Sequence, residues 1–289
     1  GKVIGSMPQG VLYFEQSYFP FEKGGDLDNI HKAFAECMWT AVESPPGPLV
    51  KGPEGAEKFA AGAKKLRENT DRAIIGVFGG DLLGLGQLFY RHDNFFMLLA
   101  ADPAGAHRFL DKVMEIHLAN LEEFMKAVGP YIDIILFVDD FGTQSGPQIS
   151  PAMFREFFKP RQQLMWQRAK ELGQVKTMLH CCGGVRELIA DMIDAGLDAI
   201  NPIQISCAGM DAAELKKEFG SDITLWGGGC DTRDTLPKAT PREIKEHVKK
   251  QIEILSPGGG FVFQQVHNIL ADIPPENITA MFEAVNECR

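Results

Sequence analysis

From residue 70 onward, short and nearly continuous apolar runs alternate with longer amphipathic stretches. Runs of this kind are typical of parallel strands that helices cover on both faces. The predicted strands are 73–78, 133–140, 175–182, 197–204, 223–230 and 259–267. Strand, helix and strand in regular succession, with right-handed crossovers, predict an α/β fold that is either a doubly wound sheet or a barrel.

Helices are predicted between these strands from apolar periodicity and from capping residues. Ser150 followed by Pro151 opens one helix, and Thr240 with Glu243 forms a capping box that opens another. The predicted helices are 27–42, 54–68, 103–128, 151–172, 185–195, 212–219, 241–255 and 274–287.

The spacing of the strands favours a (β/α)8 barrel, also called a TIM barrel, within one domain that covers residues 1–289. The repeats are clear over 70–287, whereas residues 1–50 are irregular or helical. Six strands are evident and a closed barrel needs eight. We therefore expect residues 1–50 to hide the first strands, or the chain to lack them. No GxGxxG motif or P-loop supports a nucleotide-binding fold.

Composition narrows the range of partners. The chain has 289 residues, of which 45% are hydrophobic, and its formal net charge is −10, which argues against nucleic acid or an anionic membrane as a partner. No apolar run is long enough for a transmembrane helix, and the first residues lack the apolar core of a signal peptide. Six cysteines without a disulfide pattern predict a cytoplasmic protein.

The sequence VKTMLHCCGGV at 175–185 holds the strongest candidate for chemistry. If the strand runs through 182, His180 and Cys182 share a face while Cys181 points away. An imidazole and a thiolate side by side make half of a zinc site, although buried Cys and strand-end His also occur as packing residues. His267 or Cys230, each at the end of a later strand, could complete the site.

Other polar residues also end predicted strands, where a TIM barrel keeps its active site. They are Asp81, Asp139, Asp140, Asn201, Gln204, Asp231, Arg233, Gln264, Gln265 and Asn268. Each has a structural alternative, such as a helix cap for the aspartates or a turn for Asn201. The concurrence of several polar strand ends favours a functional site.

Several segments together resemble the uroporphyrinogen decarboxylase superfamily over roughly residues 70–287. They are HCCGG at 180–184, INPIQ at 200–204, GMDAAELKKEFG at 209–220, GGGCDTRDTLPKATPREI at 227–244 and GGGFVFQQVHNILADIPPENITAMFEA at 258–284. The resemblance implies a (β/α)8 barrel. The superfamily contains porphyrinogen decarboxylases and zinc-dependent methyltransferases that work with corrinoid proteins.

The chain looks more similar to the methyltransferase members. Those enzymes carry H-x-C at one strand end and a third ligand at the end of the last strand. The resemblance thus implies His180, Cys182 and His267 as zinc ligands, with Cys230 as the alternative third ligand. Coenzyme M enzymes tend to have Cys where His267 stands. The arginine-rich N-terminal segment of the decarboxylases has no counterpart in residues 1–50.

The segment VDDFGTQSGPQISPAMFREFFKP at 138–160 also resembles the methyltransferase-like members. That resemblance implies Asp139 and Asp140 as catalytic residues at the pocket. We expect Gln204, Asn201 and Asp231 to bind substrate.

The expected function is zinc-dependent methyl transfer between a small thiol, methoxy or methylamine-type substrate and a corrinoid protein. No D-x-H-x-x-G motif is present, so the corrinoid cofactor would be carried by that partner. Two alternatives stay open: a metal-free lyase that acts on a tetrapyrrole and has arginines at its pocket, and a non-catalytic barrel that binds a corrinoid or tetrapyrrole. The sequence also leaves a homodimer open.

Overall fold

The computed structural model describes residues 3–11, 14–36 and 53–288. The chain forms two compact units. The first comprises Gly1–Asp139 with Arg155–Thr177, and the second comprises Asp140–Phe154 with Met178–Arg289. The boundary falls inside the strand Lys176–His180, so the end of that strand belongs to the second unit. The single-domain assignment stays a prediction.

The first unit packs helices against a parallel pair of strands and also contains a small antiparallel pair. Its strands are β1 (Gly5–Ser6), β2 (Glu15–Gln16), β3 (Ile75–Gly79) and β4 (Ile134–Val138). Its helices are α1 (Ile30–Ala35), α2 (Pro53–Glu68), α3 (Leu83–Tyr90), α4 (His92–Ala101), α5 (Pro103–Val128) and α7 (Lys159–Leu172). β1 pairs antiparallel with β2, and β3 pairs parallel with β4.

Aromatic side chains form the core of this unit. Phe78 on β3 contacts both Phe124 on α5 and Phe137 on β4 through edge-to-face rings. A side chain at Gly76 would meet Ile132 and Phe124, so a glycine at this position lets α5 pack closely against β3.

The second unit contains four parallel strands that pair in chain order. They are the end of β5 (Lys176–His180), β6 (Ala199–Asn201), β7 (Thr224–Trp226) and β8 (Phe261–Val262). Its helices are α6 (Pro151–Met153), α8 (Arg186–Asp194), α9 (Ala212–Phe219), α10 (Thr235–Lys238), α11 (Pro241–Leu255) and α12 (Pro275–Glu287). The register sets His180 opposite Asn201, so both side chains stand at one level at the strand ends.

The α/β class and the six strand positions are confirmed, but the strands are shorter than predicted. The strand predicted at 175–182 ends at His180, since the residues after it turn into a loop. α5 matches its predicted bounds, and the capping box of Thr240 and Glu243 forms as expected. The described residues contain six parallel strands. The second half of the predicted helix 27–42 falls in residues 37–52, which lie outside the described residues.

Two differences concern helices. The predicted helix 151–172 is interrupted by a π-helical turn, Phe154–Phe158, where Pro160 cannot donate a backbone hydrogen bond to the preceding turn. α3 and α4 were not predicted, because Gly84 and Gly86 weaken the helical signal of the first. Gly86 leaves room for the ring of Phe95. None of the described helices is long and apolar enough to cross a membrane.

Candidate metal centre

His180, Cys182 and His267 form the only group among the described residues with the donor types and spacing to hold a metal ion. One ligand atom from each lies within 4.8 Å of the others, and all three side chains are half-buried. Cys182 Sγ lies 3.2 Å from His180 Nε2. His180 ends β5, whereas Cys182 is brought back beside it by the loop that follows, so strand alternation is not the reason for their proximity.

A network of amides orients His180. Its Nδ1 lies 2.8 Å from Asn201 Oδ1, and Asn201 Nδ2 donates to Gln264 Oε1 at 2.9 Å. The contact with Asn201 occupies Nδ1 and leaves Nε2 on the side of Cys182. A partner on the second ring nitrogen is the usual arrangement for a metal-binding histidine.

The loop that carries Cys182 is anchored by two side chains predicted to lie at the site. Asp140 Oδ1 accepts a hydrogen bond from the Cys182 N–H at 2.7 Å, and Gln204 Oε1 accepts one from the Gly183 N–H, also at 2.7 Å. Both side chains therefore position the ligand loop. Their predicted roles in catalysis and substrate binding stay predictions.

A close backbone contact with the segment at Gly142 also holds the loop that carries Cys182. The Gly142 N–H donates to the carbonyl of Cys182 at 3.1 Å. A Cβ on Gly142 would lie 2.7 Å from the Cα of Gly183, and Gly183 has a φ of 92°, which disfavours any side chain there. The two glycines therefore allow the two loops to touch.

The shifted pKa values of the two side chains favour a neutral imidazole at His267 and a protonated thiol at Cys182. Burial, followed by the nearby His180, lowers the pKa of His267 below its ordinary value. Burial, followed by the Asp140 carboxylate, raises the pKa of the Cys182 thiol. A sulfur in such surroundings needs a cation to ionise it, and a coordinated divalent metal deprotonates a thiol. One thiolate with two neutral imidazoles is a donor set that suits zinc.

The other cysteines in the described part of the chain take no part in the group. Cys181 is buried, and its Sγ accepts the Phe141 N–H at 3.3 Å. Cys230 is fully buried in an apolar cluster with Leu236 and Ile244, and burial raises its pKa to about 12. The structure thus favours His267 over Cys230 as the third ligand.

Asp139 lies in the first unit, where its carboxylate binds the start of α3. It accepts backbone hydrogen bonds from Leu82, Leu83 and Gly84 at 3.0–3.2 Å. Burial raises the pKa of Asp139 to about 6, although these N–H groups and Asp81 oppose the rise. These contacts give Asp139 a helix-anchoring role, which is the structural alternative noted for it, and its catalytic role stays a prediction.

Asp231 likewise supports its own loop. Its carboxylate accepts hydrogen bonds from the backbone N–H groups of Asp234 and Thr235 at 2.8 and 3.0 Å, at the start of α10. Its predicted contact with substrate is untested. Gln264 was among the polar strand-end candidates, but its hydrogen bond from Asn201 was not predicted.

The second unit thus combines parallel strands with a His, Cys and His group at the end of β5 that could hold a metal ion. The family profile "Uroporphyrinogen decarboxylase (URO-D)" matches residues 53–288, and the chain belongs to this family. The family match confirms the predicted superfamily and the TIM-barrel class of fold.

Curated relatives come from two kinds of enzyme. Uroporphyrinogen decarboxylase from Methylococcus capsulatus is 28% identical over 191 residues, covering 66% of this chain and 51% of that protein. Methylcobamide:CoM methyltransferase MtaA from Methanosarcina barkeri is 30% identical over 158 residues, covering 54% and 42%. The chain therefore spans about half the length of the curated relatives it matches.

A solved structure described as a methyltransferase from Methanosarcina mazei shares the fold. Its TM-score is 0.69 at 21% identity, and the match covers 98% of this chain and 75% of that one. At this identity the likeness supports the fold alone. The homologues are enzymes of more than one activity.

Proposed function

We propose that this chain is a zinc-dependent methyltransferase that moves a methyl group between a small substrate and a corrinoid protein. The observation that carries the proposal is the group of His180, Cys182 and His267, with ligand atoms within 4.8 Å of one another. The similarity to a protein named methylcobamide:CoM methyltransferase supports the same assignment. Methyl transfer with zinc explains why a thiol and two imidazoles meet at a strand end.

Three protein ligands leave one position open, as in catalytic rather than structural zinc sites. Zinc bound there supplies a Lewis acid that activates a thiol acceptor or polarises the leaving atom of a methoxy or methylamine-type donor. The chain's own residues hold and orient this site. Asp140 and Gln204 fix the loop through the backbone N–H groups of Cys182 and Gly183.

The corrinoid would be carried by a partner protein, and the reduced thiol ligand suits a cytoplasmic location. The competing assignment is a decarboxylase-like lyase, which the relative from Methylococcus capsulatus favours. The two assignments differ in the need for metal, so metal content separates them.

The test is the zinc content of the purified protein by mass spectrometry, with Cys181 as a matched control beside Cys182. We expect about one zinc per chain in the wild type and in Cys181→Ala, and loss of zinc in Cys182→Ala and His180→Ala. The variants that lose zinc should also lose methyl transfer from methylcobalamin to a panel of small thiols.

Cys181→Ala removes a buried sulfur one residue away, so it reports any general effect of substitution in this loop. A well-folded wild type that lacks zinc after purification, takes up none on addition and decarboxylates a porphyrinogen would establish the competing assignment.

A further inference from the structure

We infer that Asn201 is a positioning residue that, held by Gln264 and by the carbonyl of Trp226, fixes His180 in the tautomer that presents Nε2 to a metal. This inference rests on the proposed function only where it assigns the tautomer a purpose, which is metal binding. The tautomer itself is a property of the metal-free protein.

The backbone carbonyl of Trp226 can only accept a hydrogen bond, and this determines which atom donates in each of the contacts of Asn201. Asn201 Nδ2 contacts the backbone carbonyl of Trp226 at 3.4 Å, which requires the amide nitrogen on that side. The amide oxygen of Asn201 must then face His180 Nδ1, 2.8 Å away. An oxygen acceptor there requires a proton on Nδ1, so Nε2 of the neutral ring carries a lone pair.

The surroundings of Asn201 make this orientation costly to reverse. The residue is only 6% exposed, and its Nδ2 also donates to Gln264 Oε1 at 2.9 Å. A rotated amide would direct its oxygen at the Trp226 carbonyl and leave that carbonyl and Gln264 Oε1 without their donor.

The same contacts connect the segments that carry the two histidine ligands. Gln264 precedes His267 by three residues, and the Gly229 N–H donates to the carbonyl of Gln264 at 3.0 Å. Asn201 on β6 therefore links His180 on β5 to the segment that ends in His267. The contacts set the orientation of one ligand and the position of the segment that supplies another.

The first measurement is long-range ¹H–¹⁵N correlation of the imidazoles in the metal-free protein at a pH above 8, where histidines are neutral. His180 is assigned by the signal lost in His180→Ala. We expect the Nδ1–H tautomer in the wild type and in Asn201→Asp, which keeps an oxygen acceptor. Asn201→Leu should shift His180 toward the Nε2–H form.

The second measurement is zinc affinity by competition with a chromogenic chelator. Asn201→Leu should weaken affinity roughly 10- to 100-fold, the range for lost partners of metal-bound histidines, while Asn201→Asp should retain most of it. Asn277→Leu is the matched control. Asn277 is 2% exposed and donates to the carbonyls of Leu236 and Ala239, so its loss should reduce stability and leave zinc affinity unchanged.

Observing the Nε2–H tautomer in the metal-free wild type, or the Nδ1–H tautomer unchanged in a folded Asn201→Leu, overturns the inference. If Asn201→Leu does not fold, the tautomers of the wild type and of Asn201→Asp still decide it. A protein with the expected tautomer but without methyltransferase activity refutes the proposed function and leaves this inference standing.

Discussion

Polar groups gather at strand ends in both units of the molecule, and the two clusters use their hydrogen-bonding capacity differently. In the first unit, Asp139 accepts three N–H groups of the chain entering α3, and Asp81 accepts the Leu85 N–H at 3.1 Å. His117 Nε2 lies 2.9 Å from the carbonyl of Asp81. This cluster holds a helix in place.

In the second unit, Asn201 contacts His180 Nδ1 and Asp140 accepts the Cys182 N–H. The ligand atoms of His180, Cys182 and His267 lie close to one another. The comparison shows two uses of polar strand ends, one that holds backbone N–H groups and one that brings ligand atoms together. What distinguishes the metal centre is that its neighbours hold the side chains and backbone while the donor atoms converge on one point.

The largest expected effect is the loss of a ligand. His267→Ala should reduce zinc affinity by at least about a hundredfold, because binding energies on the order of 10 kcal/mol are shared among three or four ligands. Isothermal titration would measure it. Cys230→Ala should change stability but not affinity, since Cys230 lies in the apolar cluster. Equal losses of affinity in the two variants would restore Cys230 as a ligand.

A large effect on stability is expected from the cluster of the first unit. Asp139→Leu leaves three buried N–H groups without an acceptor and should cost roughly 3 kcal/mol in urea unfolding. Asp139→Asn keeps an oxygen acceptor and should cost less. Zinc affinity should be unchanged in both variants. A full loss of turnover in a folded Asp139→Asn would instead support the catalytic role predicted for this residue.

Asp139 also predicts a pH dependence. Burial raises its pKa from 3.8 to about 6 in the folded protein, so folding favours the protonated acid. Its contribution to stability is therefore fully present below pH 3.8 and is lost as the pH rises through about 6. The difference in unfolding free energy between the wild type and Asp139→Asn, measured from pH 3.5 to 7.5, should move against the wild type as pH rises. A flat difference would contradict this assignment.

The smallest effect is expected at Asp231. Asp231→Ala removes the acceptor for the N–H groups at the start of α10 and should cost about 1 kcal/mol, as for other helix caps. Thermal unfolding measures this loss. A rise in KM for the small substrate, with stability unchanged, would instead establish the substrate contact predicted for this residue.

The sequence was sufficient for the parallel strands, because they depend on local pattern. The loop after β5 brings His180 and Cys182 together, so the sequence predicted their proximity from a strand alternation that the structure does not have there. The sequence did not distinguish Asp139 from Asp140, which are adjacent and chemically identical. Their different roles depend on which N–H groups lie nearby: those at the start of α3 for Asp139 and that of Cys182 for Asp140. Gln264 was a candidate at the end of the last strand, but its contact with Asn201 was not predicted, since the two residues are distant in sequence and meet only through the pairing of β6, β7 and β8.

The contact between Gly142 and Gly183 has a consequence for protein engineering. Because a Cβ on Gly142 would strike the backbone at Gly183, we expect the HCCGG segment to lose this loop conformation when it is grafted alone into another scaffold. A transplant must also bring the stretch from Asp140 to Gly142, which supplies both the acceptor for the Cys182 N–H and the space for the loop. The segment from Asp140 to Gly142 and the HCCGG segment, about forty residues apart in the sequence, therefore have to be transferred together.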